Sequence, residues 1–231
     1  LTAARKNKSS IDMSDFLDAV DRIVGGIERK KTIMTKSEKE LIAYHEAGHT
    51  LVGWLLPDAS PVLKVTVIPR GQALGLTWNL PDERVIQSRD QLMAELCVLM
   101  GGRVAEEIHS GVPCSGALND LERLTRLAYA MVSYYGMNER IGNISFYDST
   151  GERGFDLTKP YSENTATAID EEVKKLVDEV HERTLKLIKE HADGFEQLAR
   201  ELIDKEVVLA EDIERILGPK AGKHGEERFE E

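Results

Sequence analysis

The sequence has little of several features on which other protein classes depend. Its two cysteines, Cys97 and Cys114, form neither a disulfide framework nor a Cys-x-x-Cys pair, as expected in a reducing compartment. Its longest apolar run, residues 51–56, is far shorter than the roughly 20 residues that a membrane-spanning helix requires. No signal peptide is recognisable. We therefore expect this polypeptide to be soluble as given.

Basic surfaces and phosphate-binding loops are missing as well. The formal net charge is −11, whereas a nucleic-acid-binding surface needs a basic stripe, so we expect no nucleic-acid partner. The sequence contains no Gly-x-x-x-x-Gly-Lys-[Ser/Thr] motif and therefore lacks the loop in which many ATPases hold phosphate. Aromatic residues make up only 6% of the 231 residues, and helix-forming residues dominate. With 41% hydrophobic residues the chain can bury a core, and we predict a mainly α protein with a small β-sheet (α+β).

Hydrophobic periodicity places the elements along the chain. It predicts helices over 14–24, through 41–55, and over 89–109, 119–135, Ser162–His191, 194–204 and 210–217, with strands at Val62–Pro69 and Leu74–Leu80. Gly101 and Gly102 lie inside a helix, where glycine is unfavourable, and this predicts that another helix approaches closely there. The charged segment 219–231 is predicted to be disordered.

The motif His45-Glu46-Ala47-Gly48-His49 is the most informative part of the sequence. Residues four apart lie on one face of a helix, so His45 and His49 can bind the same zinc ion. Glu46 lies beside that face, where it can reach a zinc-bound water without being a ligand. This arrangement is typical of a zinc metalloprotease, with Glu46 as general base.

A catalytic zinc site needs a third protein ligand. The acids near loop-to-helix junctions are Glu106, Glu107, Asp120 and Glu122. Asp120 is the strongest candidate because it begins a helix after a glycine-containing loop, although an ordinary helix-start acid fits its position equally well. Glu106 and Glu107 are adjacent, so at most one faces inward, where it could accept the free ring N–H of a ligating histidine. The other histidines, at 109, 181, 191 and 224, are interpreted as surface residues.

Four ordered motifs resemble signatures of the FtsH family of membrane-anchored, ATP-dependent AAA zinc proteases. They are Ala43–His49, Val65–Gly71, Gly101–Glu107 and Gly116–Asp120, and residues 161–173 fit the long C-terminal helix of that family. The resemblance covers roughly residues 10–218. It implies a zincin-type helix with long C-terminal helices.

The resemblance also implies roles for individual residues. His45, His49 and Asp120 would bind zinc, Glu46 would be the catalytic base, and Glu106 rather than Glu107 would support a ligating histidine. The segment Leu74–Leu80 would lie along the cleft, with Gly75, Leu76, Thr77 and Trp78 as the strand to which an extended substrate adds.

The same resemblance predicts the organisation of a longer protein. Residues 1–30 would end the helical subdomain of an AAA ATPase, residues 31–218 would form the zinc peptidase domain, and residues 219–231 would be the charged tail. The expected partners are unfolded or membrane-protein substrates, an ATPase module outside this chain, and five further copies in a hexamer. The full-length protein would lie at the cytoplasmic face of the inner membrane.

Three other functions remain open from the sequence. One is a non-catalytic, zinc-stabilised assembly domain of an AAA ring, which an intact Glu46 argues against because a structural site needs no base. Another is a different zinc hydrolase, such as a deformylase, which would use a cysteine ligand. The third is a helical binding module in which the histidines bind no metal.

Overall fold

The computed structural model describes residues 34–69, 74–80, 86–147 and 160–222, together with 2–5, 8–12, 15, 19, 22–23 and 26. Most of the predicted helix at 14–24 lies outside the described residues, as do His224 and the segment 223–231.

The described chain is mainly helical with one small sheet, which confirms the predicted fold class. Its helices are α1 (Lys36–Leu55), α2 (Arg89–Ser110), α3 (Leu118–Ser133), α4 (Glu163–Glu190), α5 (Ala192–Lys205) and α6 (Ala210–Leu217). Its strands are β1 (Val62–Thr66), β2 (Leu76–Asn79) and β3 (Val207–Leu209), and short helical turns occupy Thr2–Arg5 and Ser115–Ala117. None of the described helices combines the length and the apolar character that crossing a membrane would require.

Helix α1 carries the His-Glu-x-x-His motif and begins with a capping box. Thr35 Oγ1 accepts a hydrogen bond from the Glu38 N–H at 3.2 Å, and the Thr35 N–H donates to Glu38 Oε2 at 2.8 Å. These two bonds satisfy backbone donors that the first turn of a helix leaves without partners. From Ala43 to Trp54 nearly every residue of α1 is buried, so the motif lies in the core and not on a surface helix.

The C-terminal end of α1 is fastened by residues far along the chain. Lys220 Nζ lies 3.0 Å from the carbonyl oxygens of both Gly53 and Leu56. Trp54 Nε1 donates to the carbonyl oxygen of Gly218 at 2.8 Å. A lysine ammonium at this position satisfies carbonyls that no longer bond within the helix and complements the negative end of the helix dipole.

Helices α1 and α2 touch at their backbones, as the glycine pair predicts. A Cβ added to Gly101 would lie 2.8 Å from the carbonyl oxygen of Gly48, closer than real Cβ atoms come. A Cβ added to Gly48 would collide with the Gly101 carbonyl oxygen and lie 2.6 Å from Ala105 Cβ. Both positions therefore need glycine, and the close approach brings residues of α2 against the motif face of α1.

The sheet has the strand order β2-β1-β3 and is antiparallel throughout. Val65, at the centre of β1, pairs with Thr77 of β2 on one side and with Val208 of β3 on the other. Strand β3 is not predicted from the sequence, and it joins the sheet between α5 and α6. Within the described residues β2 is an edge strand, and it lies next to the motif helix.

Candidate active site

The two motif histidines lie one helical turn apart, and each has one ring nitrogen fixed by a neighbouring acceptor. His49 Nδ1 is 2.7 Å from the carbonyl oxygen of Val98 in α2. A carbonyl can only accept, so Nδ1 of His49 carries the proton and its Nε2 holds a lone pair. His45 Nδ1 lies 2.9 Å from Glu106 Oε1, which fixes the neutral ring in the same tautomer. Both Nε2 atoms thus face a common point.

Asp120 lies in the first turn of α3 and completes a three-residue cluster with the histidines. Its Oδ2 is 3.3 Å from His45 Nε2 and 3.4 Å from His49 Nε2, and the two Nε2 atoms are 3.0 Å apart. The start of a helix favours an ionised carboxylate at this position. The structure thus brings Asp120 to the histidines across 71 residues of chain.

The spacing of these three atoms suits a small divalent cation. Nitrogen and oxygen ligands lie about 2.0–2.2 Å from zinc, which in a tetrahedral site separates the ligand atoms by roughly 3.3–3.6 Å. The observed separations of 3.0–3.4 Å are close to that value. Gly102 contributes the space, because a Cβ there would lie 2.5 Å from His45 Nε2 and 2.6 Å from His49 Nε2. The three ligand atoms and the space beside Gly102 therefore fit a metal ion.

The imidazoles and carboxylates of the cluster shift one another's pKa values. Burial alone would lower the pKa of His45, but Asp120 and Glu106 outweigh it and raise that pKa to about 10. Burial would raise the pKa of Asp120, yet the two imidazoles hold it well below its usual range. A metal ion that binds His45 Nε2 must displace the proton there.

Glu106 and Glu107 point in different directions, because successive residues of an α-helix are rotated by about 100°. The side chain of Glu106 is only 2% exposed, and its second oxygen accepts the Cys114 N–H at 3.1 Å. Despite burial, its hydrogen bonds with His45 and Cys114 lower the pKa of Glu106. Glu107 instead pairs with His181 Nε2 at 2.8 Å on the outside of the cluster. Of the two, Glu106 is the acid that touches the cluster.

Glu46 is buried beside the same cluster. Burial raises the pKa of its carboxyl, and the nearby imidazoles of His45 and His49 oppose that shift. The Glu46 Oε2 atom accepts a hydrogen bond from Thr77 Oγ1 at 2.8 Å. This carboxylate is not one of the three clustered donors, so it remains available to act on a bound molecule.

The cluster opens into a cleft of about 990 Å³. Gly75, Leu76 and Thr77 line it from the β2 side, whereas Trp78 does not, because its ring lies on the other face of the strand under Lys64 Nζ. Leu41, Ile42 and Leu99 are among the apolar residues on the helical side. The cluster therefore lies in a cleft that has β2 on one side and apolar helical residues on the other.

The remaining candidate residues lie away from the cluster. Glu122 is exposed and pairs with Arg126 one turn along α3. His109 stacks on Tyr44 with ring centroids 3.6 Å apart, and His191 Nδ1 lies 3.0 Å from the Leu187 carbonyl oxygen. These histidines are occupied by structural contacts.

Three contributors to the site cannot be recognised from the sequence. The Val98 carbonyl is a backbone group, so no residue type could reveal it. Gly102 is recognisable as an unusual helical glycine, but the sequence does not say that it faces the imidazoles. Thr77 falls within the expected substrate strand, and nothing in the sequence connects its hydroxyl to Glu46.

Comparison with known proteins agrees with this geometry. The profile of peptidase family M41 matches residues 32–216. The ATP-dependent zinc metalloprotease FtsH of Parabacteroides distasonis is 49% identical over 221 residues, which cover 96% of this chain and 32% of the relative. The protein of that name from Rhodothermus marinus is 49% identical over 223 residues, covering 95% and 32%. ATP-dependent zinc metalloprotease FTSH 8, mitochondrial, from Oryza sativa is 42% identical over 227 residues, covering 98% and 27%.

The chain spans about a third of the length of the curated relatives it matches. The family match includes α1 with both histidines, α2 with Glu106, and the first turn of α3 with Asp120. The resemblance to FtsH seen in the sequence is confirmed by these relatives, and the chain belongs to peptidase family M41.

Proposed function

We propose that this chain is the zinc-dependent endopeptidase domain of an FtsH-like ATP-dependent protease. The observation that carries the proposal is the convergence of His45 Nε2, His49 Nε2 and Asp120 Oδ2 within 3.4 Å, with the buried Glu46 carboxylate beside them. Three protein ligands leave a coordination position open, which distinguishes a catalytic zinc site from a closed structural one. The zinc named in the relatives supports the same assignment.

His45, His49 and Asp120 would hold the zinc ion. When bound, zinc would supply a Lewis acid that acidifies a water molecule and polarises the scissile carbonyl. Glu106 acts on the metal through His45: its hydrogen bond to Nδ1 orients the ring and raises its basicity. The Val98 carbonyl does the same for His49 without adding charge.

Glu46 acts as the general base. Its carboxylate takes the proton from the attacking water and returns it to the leaving amine. Burial raises its pKa, which makes it a stronger base than an exposed glutamate. Proton transfer requires a carboxylate oxygen of Glu46 to lie within about 2.6–3.2 Å of the water oxygen. The efficiency of Glu46 as a base therefore depends on how closely the orientation of its carboxylate is fixed.

The substrate binds as an extended strand at the edge of β2 that faces away from β1. Of the expected substrate strand Gly75, Leu76, Thr77 and Trp78, the backbone groups of Gly75 and Thr77 would pair with the peptide, because those of Leu76 and Trp78 point toward β1. Backbone pairing gives weak sequence preference. This suits a protease that degrades unfolded polypeptides or extracted membrane proteins.

The other parts of the proposed protease, its ATPase module and further subunits, lie outside this chain. We propose that residues 31–218 are the peptidase domain, that residues 1–30 end the helical subdomain of an AAA ATPase, and that residues 219–231 form a tail. The ATPase would deliver unfolded substrate to a homo-hexamer at the cytoplasmic face of the inner membrane. Lys220, near the start of that tail, contacts carbonyl oxygens at the end of α1.

The decisive experiment measures zinc content and casein degradation together, with and without a chelator. We expect about one zinc per chain and chelator-sensitive cleavage in the presence of the ATPase module. Glu46→Gln should keep the zinc and lower cleavage by at least about 100-fold, while Asp120→Asn should lower zinc occupancy after dialysis. Full cleavage by Glu46→Gln would refute the proposal. One zinc without any cleavage by the complete protein would favour the assembly domain instead.

A further inference from the structure

The Glu46 carboxylate is held by the strand expected to bind substrate. Thr77 Oγ1 donates to Glu46 Oε2 at 2.8 Å, across 31 residues of chain. An ionised carboxylate can only accept, so the proton of this hydrogen bond comes from the threonine. Glu46 is 6% exposed, and in such a site a charge-assisted hydrogen bond is short and directional.

The second carboxylate oxygen lies against the backbone of the same strand segment. A Cβ at Gly75 would lie 2.6 Å from Glu46 Oε1 and 2.7 Å from Glu46 Cγ. Any side chain at residue 75 would therefore displace the carboxylate. Thr77 holds one oxygen by a hydrogen bond, and the bare backbone of Gly75 limits the movement of the other.

The helix supplies a second support for Thr77. Thr50 is fully buried one turn beyond Glu46, and its hydroxyl donates to the Glu46 carbonyl oxygen at 2.7 Å. Its Oγ1 lies 3.3 Å from Thr77 Oγ1, so the two hydroxyls are packed together. Thr77 in turn is fixed through its pairing with the fully buried Val65 of β1. These contacts leave the Thr77 hydroxyl little freedom.

We propose that Thr77 is a positioning residue for Glu46 and that β2 therefore directs the general base in addition to lining the cleft. The proposal rests on the role of Glu46 given above. A glutamate has three side-chain torsions, and a base that is misplaced by about 1 Å can cost about 100-fold in rate. Thr77 of β2 and Gly75, which directly precedes this strand, remove that freedom before any substrate arrives.

The test compares three variants of the zinc-loaded protein, assayed with its ATPase module. Thr77→Val keeps the branched shape and removes the hydroxyl, and we expect kcat to fall about 10–100-fold with KM within about twofold. Thr77→Ser keeps the hydroxyl and should recover most of kcat. Thr66→Val is the matched control, because Thr66 is buried on the adjacent strand and its hydroxyl bonds to the Glu206 carbonyl, away from Glu46. It should keep the kcat of the wild type.

A structural measurement accompanies the kinetics. In a crystal structure of zinc-loaded Thr77→Val, the Glu46 carboxylate should be displaced or adopt several conformations. In the corresponding Thr77→Ser structure it should keep its position. Gly75→Ala offers an independent variant, since it keeps the hydroxyl and should displace Glu46 Oε1. In each case zinc content should equal that of the wild type.

Several results would overturn the proposal. They are an unchanged kcat in Thr77→Val, an equal loss in Thr77→Ser or Thr66→Val, or an unmoved Glu46 carboxylate in the Thr77→Val structure. Failure of the proposed function looks different, since then wild type and Glu46→Gln would cleave equally or not at all. Even so, the crystal structures would decide whether Thr77 sets the direction of Glu46.

Discussion

Replacing Gly102 by alanine adds a single methyl group at the point where the two ligand histidines meet α2. The new Cβ would lie 2.5 Å from His45 Nε2 and 2.6 Å from His49 Nε2, whereas real Cβ atoms essentially never come closer than 3.0 Å. The His49 ring must therefore move by about 0.4 Å, and the His45 ring, whose Cε1 atom is closer still, by more than about 0.5 Å. Metal–ligand distances tolerate only about 0.2 Å.

Helix α2 cannot easily retreat from this clash. Its other faces already pack against α3 and α4, and its backbone touches that of α1 one residue earlier, at Gly101 and Gly48. The rings must therefore leave their positions. Losing the hydrogen-bonding partner of a ligand typically costs about 10–100-fold in metal affinity, and displacing the ligand atoms themselves should cost about 100-fold or more. Alanine is favoured over glycine inside a helix by up to about 1 kcal/mol, so the metal-free chain should stay folded.

The assay is a zinc titration against a chromogenic chelator, combined with thermal unfolding with and without zinc. A 100-fold weaker affinity removes about 2.7 kcal/mol of zinc-dependent stabilisation. Gly53→Ala is the control, because it makes the same change in α1, where the nearest atom to the new Cβ is Val62 Cγ2 at 3.3 Å. Zinc affinity of Gly102→Ala within threefold of the wild type would refute the assignment of this glycine as the cradle of the site.

Three further predictions concern the surroundings of His45. Glu106→Gln should weaken zinc binding about 10–100-fold, while Glu107→Gln should leave it unchanged; equal effects in chelator competition would contradict the orientation of α2. Because the pKa of metal-free His45 is about 10, zinc binding at pH 7 should release about one proton, and zinc affinity should fall about tenfold for each unit by which the pH is lowered. Calorimetry in buffers of different ionisation enthalpy measures this proton release. Tyr44→Phe, which removes the 2.7 Å hydrogen bond to Glu196, should lower the free energy of unfolding by about 1 kcal/mol. Since the pKa of Tyr44 is raised to about 12, the extra stability of the wild type should be complete below pH 10 and lost as the pH rises from 10 to 12. Urea unfolding that gives the same free-energy difference between the two proteins below pH 10 and at pH 12 would argue against this prediction.

The elements that the sequence predicts well are those with strong local signals. The motif helix, the apolar helix through Gly101 and the amphipathic α4 all lie close to their expected positions, because each has a long apolar stripe. Ser162 caps α4, so this helix begins one residue after the predicted start. Strand β3 has three residues between two helices, too few to show alternation, and it forms because β1 offers it an edge.

In the site, too, residues with a local sequence signal can be predicted, whereas contacts between distant segments cannot. His45, Glu46 and His49 are readable from their spacing alone. Asp120 and Glu106 are candidates from spacing, but only the family resemblance selects them, because the loop that carries Asp120 back to α1 leaves no periodic pattern. The hydrogen bond from Thr77 to Glu46 depends on how β2 packs on α1, and this tertiary detail has no signature in either segment.

The central strand of the sheet has consequences for how the chain acquires its structure. Val65 of β1 pairs with Thr77 nearby and with Val208 more than 140 residues later. Contacts between such distant segments slow folding, because the intervening chain must be ordered before they form. During synthesis, β1 and β2 emerge long before β3, and until then the second side of β1 presents unpaired backbone groups that invite association with other chains. A protein shortened before residue 207 would retain every residue of the cluster and still carry that open edge permanently.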